Sequence, residues 1–298
     1  MGLRRLIAIV LCLCVTATAE TLDSAVEKKQ RAEWCEALGK RLKSVDARLC
    51  QSLPFRAGTL RSVQGRPLMA LEVAPAAGKN AARPVRILLA GGLHGDELTS
   101  ISIVFCWLAF LETPAARAHH WYIAPLVNPD GLFARPSRRT NSNGVDLNRN
   151  FPTPDWADKA QDYWQRRTQK DPRRFPGKTA MSEPETRWLT EAIEAFKPDV
   201  IVSVHAPYGI LDYDGASPPP PRRLGLLNLK PLGVYPGSLG NYGGVFKDIP
   251  VITIELANAG TMPRKEEQHQ MWNDMLDWID ARLVQPRHTG KSPGAQRN

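Results

Sequence analysis

The sequence predicts an α/β fold with a mixed, largely parallel central sheet and helices on both faces. Three observations predict it. Short apolar, β-branched runs at residues 85–90, 200–204 and 251–256 read as buried strands. Segments with helical spacing separate them, and that alternation builds crossover units around a parallel sheet. The 298 residues, 43% of them hydrophobic, can fill one large core, and nothing demands a second.

At the amino end, residues 1–19 read as a cleavable secretory signal. Arg4-Arg5 precede an apolar run over 6–15, and Ala17-Thr18-Ala19 offers a small-x-small cleavage site. The run is shorter than a membrane span of ~20 residues, so no stable membrane insertion is expected after cleavage. The expected location is periplasmic or secreted. Cleavage removes two arginines and no acid from a formal net charge of +9. The remaining positive excess favours anionic partners. No aromatic-interleaved basic patch or zinc-finger spacing points to nucleic acid.

Residues 20–60 are expected to form an N-terminal helical segment, with helix over 22–52. Cys35 and Cys50 flank a charged stretch able to fold back as a hairpin, and in an oxidising compartment they read as a disulfide. Residues 61–286 form the main domain and 287–298 a flexible tail. Within the domain, 68–73 alternates as a strand, 86–90 is a buried strand ended by Gly91-Gly92, and a helix follows over 98–111. Cys106 in that helix reads as a small buried hydrophobe. Residues 121–127 are the next strand, stopped by the turn Asn128-Pro129-Asp130-Gly131. Residues 132–180 read as irregular, with one helix near 155–167. Ser182-Glu183-Pro184-Glu185 reads as a capping box that opens a helix to Phe196. A strand over 200–204, a loop-rich stretch over 206–244, a strand over 251–256 and a helix over 264–283 complete the domain.

Chemistry gathers at three strand ends. His94-Gly95-Asp96-Glu97 follows one strand, His205 ends another and Glu255 lies near the end of a third. Ligands of open α/β sheets bind outside the carboxyl ends of the strands. Two imidazoles and a carboxylate are the donor types of a catalytic zinc site, which uses about three protein ligands and keeps one position for water. Separately, each has another reading: a loop histidine, a first-turn acid favoured by the helix dipole, a hydrogen-bonded core histidine.

The segment between these strands favours the joint reading. In order, the chain carries His94-x-x-Glu97, Asn128-Pro129-Asp130-Gly131, Gly144-Val145-Asp146-Leu147-Asn148-Arg149-Asn150-Phe151, the strand-end His205 and Thr253-Ile254-Glu255-Leu256. These motifs span residues 85–260 and resemble the zinc metallocarboxypeptidase family. Ser182–Thr186 and Tyr235-Pro236-Gly237-Ser238-Leu239-Gly240 are similar to its murein peptide amidase branch, whose members cut the γ-D-glutamyl–diaminopimelate bond of cell-wall peptides.

The resemblance implies a metallocarboxypeptidase-like fold and one Zn2+ per chain, held by His94, Glu97 and His205. It implies that Asp146 accepts the outer N–H of His94, fixing its tautomer, and that Glu255 is the general base. Arg139 would stabilise the oxyanion, Asn148 and Arg149 would grip a substrate carboxylate, and Tyr235 would close over the substrate. Digestive relatives carry arginine where this chain has Asp96, so Asp96 is expected to receive a distal amine. The implied partner is a peptide, cell-wall derived. A general metallocarboxypeptidase is the first alternative. Desuccinylase-like enzymes share two motifs but not the Asn-Pro-Asp-Gly turn. A non-catalytic wall-binding protein would have lost a ligand or the base, and all are present.

Overall fold

The computed structural model describes residues 25–76 and 83–284. The expected signal and tail lie outside the described residues. The chain opens with α1 (residues 25–41), α2 (Ala47–Ser52), β1 (Arg56–Arg61), β2 (Pro67–Val73) and β3 (Arg86–Gly91). There follow α3 (Leu98–Trp107), α4 (Pro114–Arg117), β4 (His120–Ala124), α5 (Pro129–Phe133), α6 (Trp156–Asp162), α7 (Pro184–Phe196) and β5 (Val200–His205). The last elements are β6 (Ile210–Asp214), β7 (Arg223–Leu224), β8 (Leu227–Asn228), β9 (Val251–Glu255) and α8 (Lys265–Leu283).

Seven strands form one sheet in the order β1-β2-β4-β3-β5-β9-β6. The central four, β4-β3-β5-β9, run parallel, while β2 and β6 flank them antiparallel. Alternation along each strand sorts side chains to two faces. Ile87, Leu89, Val202, Val204, Ile252 and Ile254 point to the larger core, which α1, α3 and α8 cover. Leu88, Ala90, Ile201 and Val251 point to the other, where Trp188, Leu189 and Ile193 of α7 pack. Helices therefore cover both faces of a mixed, mostly parallel sheet, as expected.

Within the expected helical stretch over 22–52 the chain folds back as a hairpin of two helices. α1 buries a stripe of Trp34, Leu38 and Leu42. A turn then leads to α2, which Asp46 caps by accepting from the Arg48 and Leu49 amides. Cys35 and Cys50, both fully buried, are joined in a disulfide across this hairpin.

Two sheet strands were unanticipated. β1 is an outer strand whose apolar signal is nearly absent, and its Gly58 leaves room for the Trp188 indole. β6 falls in the stretch read as loop, because its acids and flanking Gly209 and Gly215 hide its alternation. Three local expectations also change. Asn-Pro-Asp-Gly is the capped start of α5, with Asn128 Oδ1 accepting from Gly131 N at 2.8 Å. The capping box does not form: Glu183 is the N-cap of α7, and the Ser182 hydroxyl donates to Glu183 Oε1 at 2.7 Å. Cys106 is half-buried rather than buried.

Candidate metal centre and cleft

The site stands on the carboxyl ends of β3, β5 and β9. His205 and Glu255 are register partners on adjacent parallel strands, as are Ser203 and Thr253 one repeat earlier. All four point to the α7 side of the sheet, because residues two apart share a face. The loop after β3 delivers His94 and Glu97 to the same place. Glu97 occupies the N-cap position of α3 but makes no side-chain cap bond. Its carboxylate turns to the histidines instead.

His94 Nε2 donates to Asp146 Oδ1 at 3.0 Å, and His205 Nε2 lies 3.0 Å from Ser203 Oγ, which can accept its N–H. With the outer nitrogens used as donors, both inner Nδ1 atoms present lone pairs. They lie 3.2 Å apart, with His94 Nδ1 2.8 Å from Glu97 Oε1 and His205 Nδ1 3.1 Å from Glu97 Oε2. Three acceptors so close call for a shared positive charge, either a proton on an imidazole or a metal ion. Zinc bonds of 2.0–2.1 Å in a tetrahedron separate ligand atoms by ~3.3 Å, so the spacing fits zinc. The three side chains are all buried.

Surrounding charges support the cluster. Burial would raise Glu97, but with that positive charge carried on the imidazoles, His94 and His205 hold it well below the usual carboxylate range. Asp146 is likewise buried yet held far down, first by Arg139 and then by His94. Arg139 Nε donates to Asp146 Oδ2 at 3.0 Å and its Nη1 to Glu97 Oε1 at 3.4 Å. The 139–150 segment is fixed from below. Asn141 Nδ2 donates to Glu183 and Glu185 (2.6 and 3.1 Å), and Asn150 Nδ2 to the carbonyls of Pro176 and Thr179.

A cavity of about 190 Å³ opens beside the cluster. His94, Glu97, Arg139, Asn148, Arg149, His205, Tyr235 and Glu255 all line it. Two of its buried polar atoms have no partner, Glu255 Oε2 and Arg149 Nε. Burial pushes the Glu255 carboxyl up and pulls the Arg149 guanidinium down. Asn148 Oδ1 accepts from Leu239 N at 2.8 Å. Tyr235 donates its hydroxyl to Leu232 O at 2.7 Å, and its ring faces the Arg149 guanidinium at 4.5 Å.

Asp96 is not among these residues. Its Oδ2 pairs with Arg173 Nη2 at 2.8 Å, and it lines an adjoining cavity with Glu97, Arg139, Arg173 and Arg174. Its Oδ1 is buried without a partner, so one oxygen of the carboxylate expected to receive an amine stays open. Sequence reasoning passed over Ser203, Thr253, Tyr208, Asp212 and Asp214. Tyr208, 58% exposed, lines both cavities. The signal for the others was present: Val202-Ser203-Val204-His205 and Ile252-Thr253-Ile254-Glu255 alternate apolar and polar, and Leu211-Asp212-Tyr213-Asp214 repeats the pattern.

Fold and donor set together define an α/β protein with a candidate zinc centre at its strand ends. Residues 55–224 match the zinc carboxypeptidase family, and the chain belongs to that zinc-dependent peptidase family. Murein peptide amidase A of Escherichia coli strain K12 is 38% identical over 154 residues, 51% of this chain and 59% of that protein. Murein peptide amidase A of Vibrio campbellii is 34% identical over 203 residues, 66% of this chain and 77% of that protein. The match thus spans less than two thirds of the Escherichia coli relative's length. Carboxypeptidase A of Helicoverpa armigera has the same fold, with a TM-score of 0.53 at 17% identity over 81% of this chain and 69% of that one.

Proposed function

We propose that the chain is a zinc peptidase of murein-derived peptides that hydrolyses the γ-D-glutamyl–diaminopimelate bond. It would act outside the cytoplasm after loss of residues 1–19, with 61–286 as the catalytic unit. One observation carries the reading: converging lone pairs, an unpartnered carboxylate oxygen at Glu255 and an unpartnered buried N–H at Arg149 share one cavity. Similarity to two murein peptide amidases directs it to the wall peptide.

His94, Glu97 and His205 would hold one Zn2+, which when bound supplies Lewis acidity to water and to the scissile carbonyl. Asp146 and Ser203 keep the two imidazoles in the ligating tautomer. Glu255 takes the proton of the attacking water and passes it to the leaving amine. Its raised affinity for protons, caused by burial, suits that exchange. Arg139 stays charged throughout and stabilises the oxygen on which negative charge develops. Arg149 offers its free Nε–H to the substrate carboxylate beside the scissile bond, with Asn148 alongside.

Mass spectrometry of products from purified wall peptides tests this. Release of diaminopimelate or a peptide beginning with it supports the reading. Release of arbitrary C-terminal residues from unrelated peptides would instead identify a general carboxypeptidase. Stoichiometric peptide binding with no free amine formed would identify a binding protein.

A further inference from the structure

The cleft continues past the metal cluster to a second pair of carboxylates. Asp212 and Asp214 lie two residues apart on β6, on one face of the strand, and both line the cavity beside Gly240. β6 is antiparallel to β9: Ile210 faces Glu255, Asp212 faces Thr253 and Asp214 faces Val251. Asp212 is thus two residues, roughly 7 Å, along the sheet from the level of Glu255. An amine four carbon–carbon bonds from a reacting α-carbon reaches ~6 Å.

Charges of both signs line the cleft: Arg139, Arg149 and Arg174 beside Asp212 and Asp214. Asp212 is 5% exposed and spends one oxygen on Leu232 N at 3.0 Å. Burial, then the neighbouring Asp212, push the Asp214 carboxyl up to about 7. A side-chain carbon on Gly240 would collide with Asp214 Oδ2, so the glycine leaves that carboxylate its place. Arg149 is 7% exposed with Nε unpartnered, an independent sign that an anionic group belongs beside it.

We propose that Asp212 and Asp214 form the subsite for the distal ammonium of the residue released. The cleft then takes a diamino acid, its α-carboxylate on Arg149 and its far amine on the acid pair. This assignment rests on the hydrolytic reading above; Asp96, paired with Arg173 through one oxygen only, is the rival acid, and the double variant below distinguishes the two.

Two measurements test it on the zinc-loaded protein. Calorimetry compares lysine with norleucine as ligands of the unmutated protein, which needs neither turnover nor a variant. Lysine is expected to bind roughly tenfold or more tightly, the worth of a charge-assisted hydrogen bond. Kinetics then compare γ-D-glutamyl-lysine and γ-D-glutamyl-norleucine peptides on the unmutated protein and on Asp212→Asn/Asp214→Asn. The kcat/KM ratio is expected to exceed ten and to collapse toward one in the double variant. Equal binding of lysine and norleucine, or a ratio that survives the double substitution, overturns the assignment. If the unmutated protein cleaves neither peptide yet binds lysine preferentially, and the double variant loses that preference, the subsite stands and the hydrolytic reading fails.

Discussion

Gly95 lies directly against Gly131, so the metal-ligand loop and the segment that starts α5 meet backbone to backbone. A side-chain carbon on Gly95 would collide with the Gly131 carbonyl carbon and the Leu132 nitrogen. Neither glycine has a positive φ, so space, not backbone freedom, requires them. Asn128 Nδ2 completes the joint by donating to Arg139 O at 3.0 Å and to Leu93 O at 3.4 Å. Two motifs far apart in the chain are thereby locked at the distance the cluster needs.

Gly95→Ala is therefore expected to force two backbone segments apart. Overpacking of this kind costs about 1–3 kcal/mol, or more where backbone must yield. Thermal melting should show the loss, and zinc titration should show weakened binding. A variant with unchanged melting and zinc affinity would contradict the close approach.

Asp146→Asn should act through His94 without touching the metal. The outer N–H of His94 would lose its anionic acceptor, and loss of such partners costs roughly 10–100-fold in metal affinity. Competition with a chromogenic chelator measures it. Chelation of the unmutated protein should abolish turnover, and added zinc should restore it.

Glu255→Gln keeps the shape of the side chain and removes its basicity. A fall in kcat of roughly 10²–10⁴ is expected, with zinc content unaltered. Metal analysis beside turnover separates base from ligand. Normal turnover in this variant would reassign the base.

The Cys35–Cys50 disulfide closes a loop with a sequence separation of 15 beneath Trp34 and Phe55. On the chain-entropy model it contributes ~3 kcal/mol. Replacing both cysteines by alanine should lower Tm by roughly 6–12 °C for a chain of this size. An unchanged Tm would mean that the hairpin is not part of the cooperative unit.

Stability should fall as pH rises from about 4.5 to about 7. Glu185 is fully buried, and burial pushes its carboxyl up to about 7 from 4.5. Across that window the folded protein holds a proton that the unfolded chain has released, so rising pH favours unfolding, and the effect levels off above it. The change is on the order of 3 kcal/mol at most. Glu185→Gln should flatten the slope of urea-unfolding free energy against pH, and an unflattened slope would assign it to another group.

The parallel strands were readable because each side chain of a doubly covered strand is apolar, and the runs at β3, β5 and β9 have little else. His94, Glu97, His205 and Glu255 were readable because they stand at those strand ends in a known order. β6 was not readable in isolation. Its Leu-Asp-Tyr-Asp pattern is that of a strand with one polar face, and only pairing with β9 shows that this face lines the cleft.

Local order along the chain thus determined which segments are strands and which residue types sit at their ends, since periodicity and turn chemistry act over a few residues. Contacts across long separations decided the rest. Asp96 met Arg173, Ser203 came under His205, and Asp212 and Asp214 came to share the cleft with Arg149. Those partners depend on register between strands and on backbone approach at Gly95 and Gly131, which exist only once the sheet has assembled.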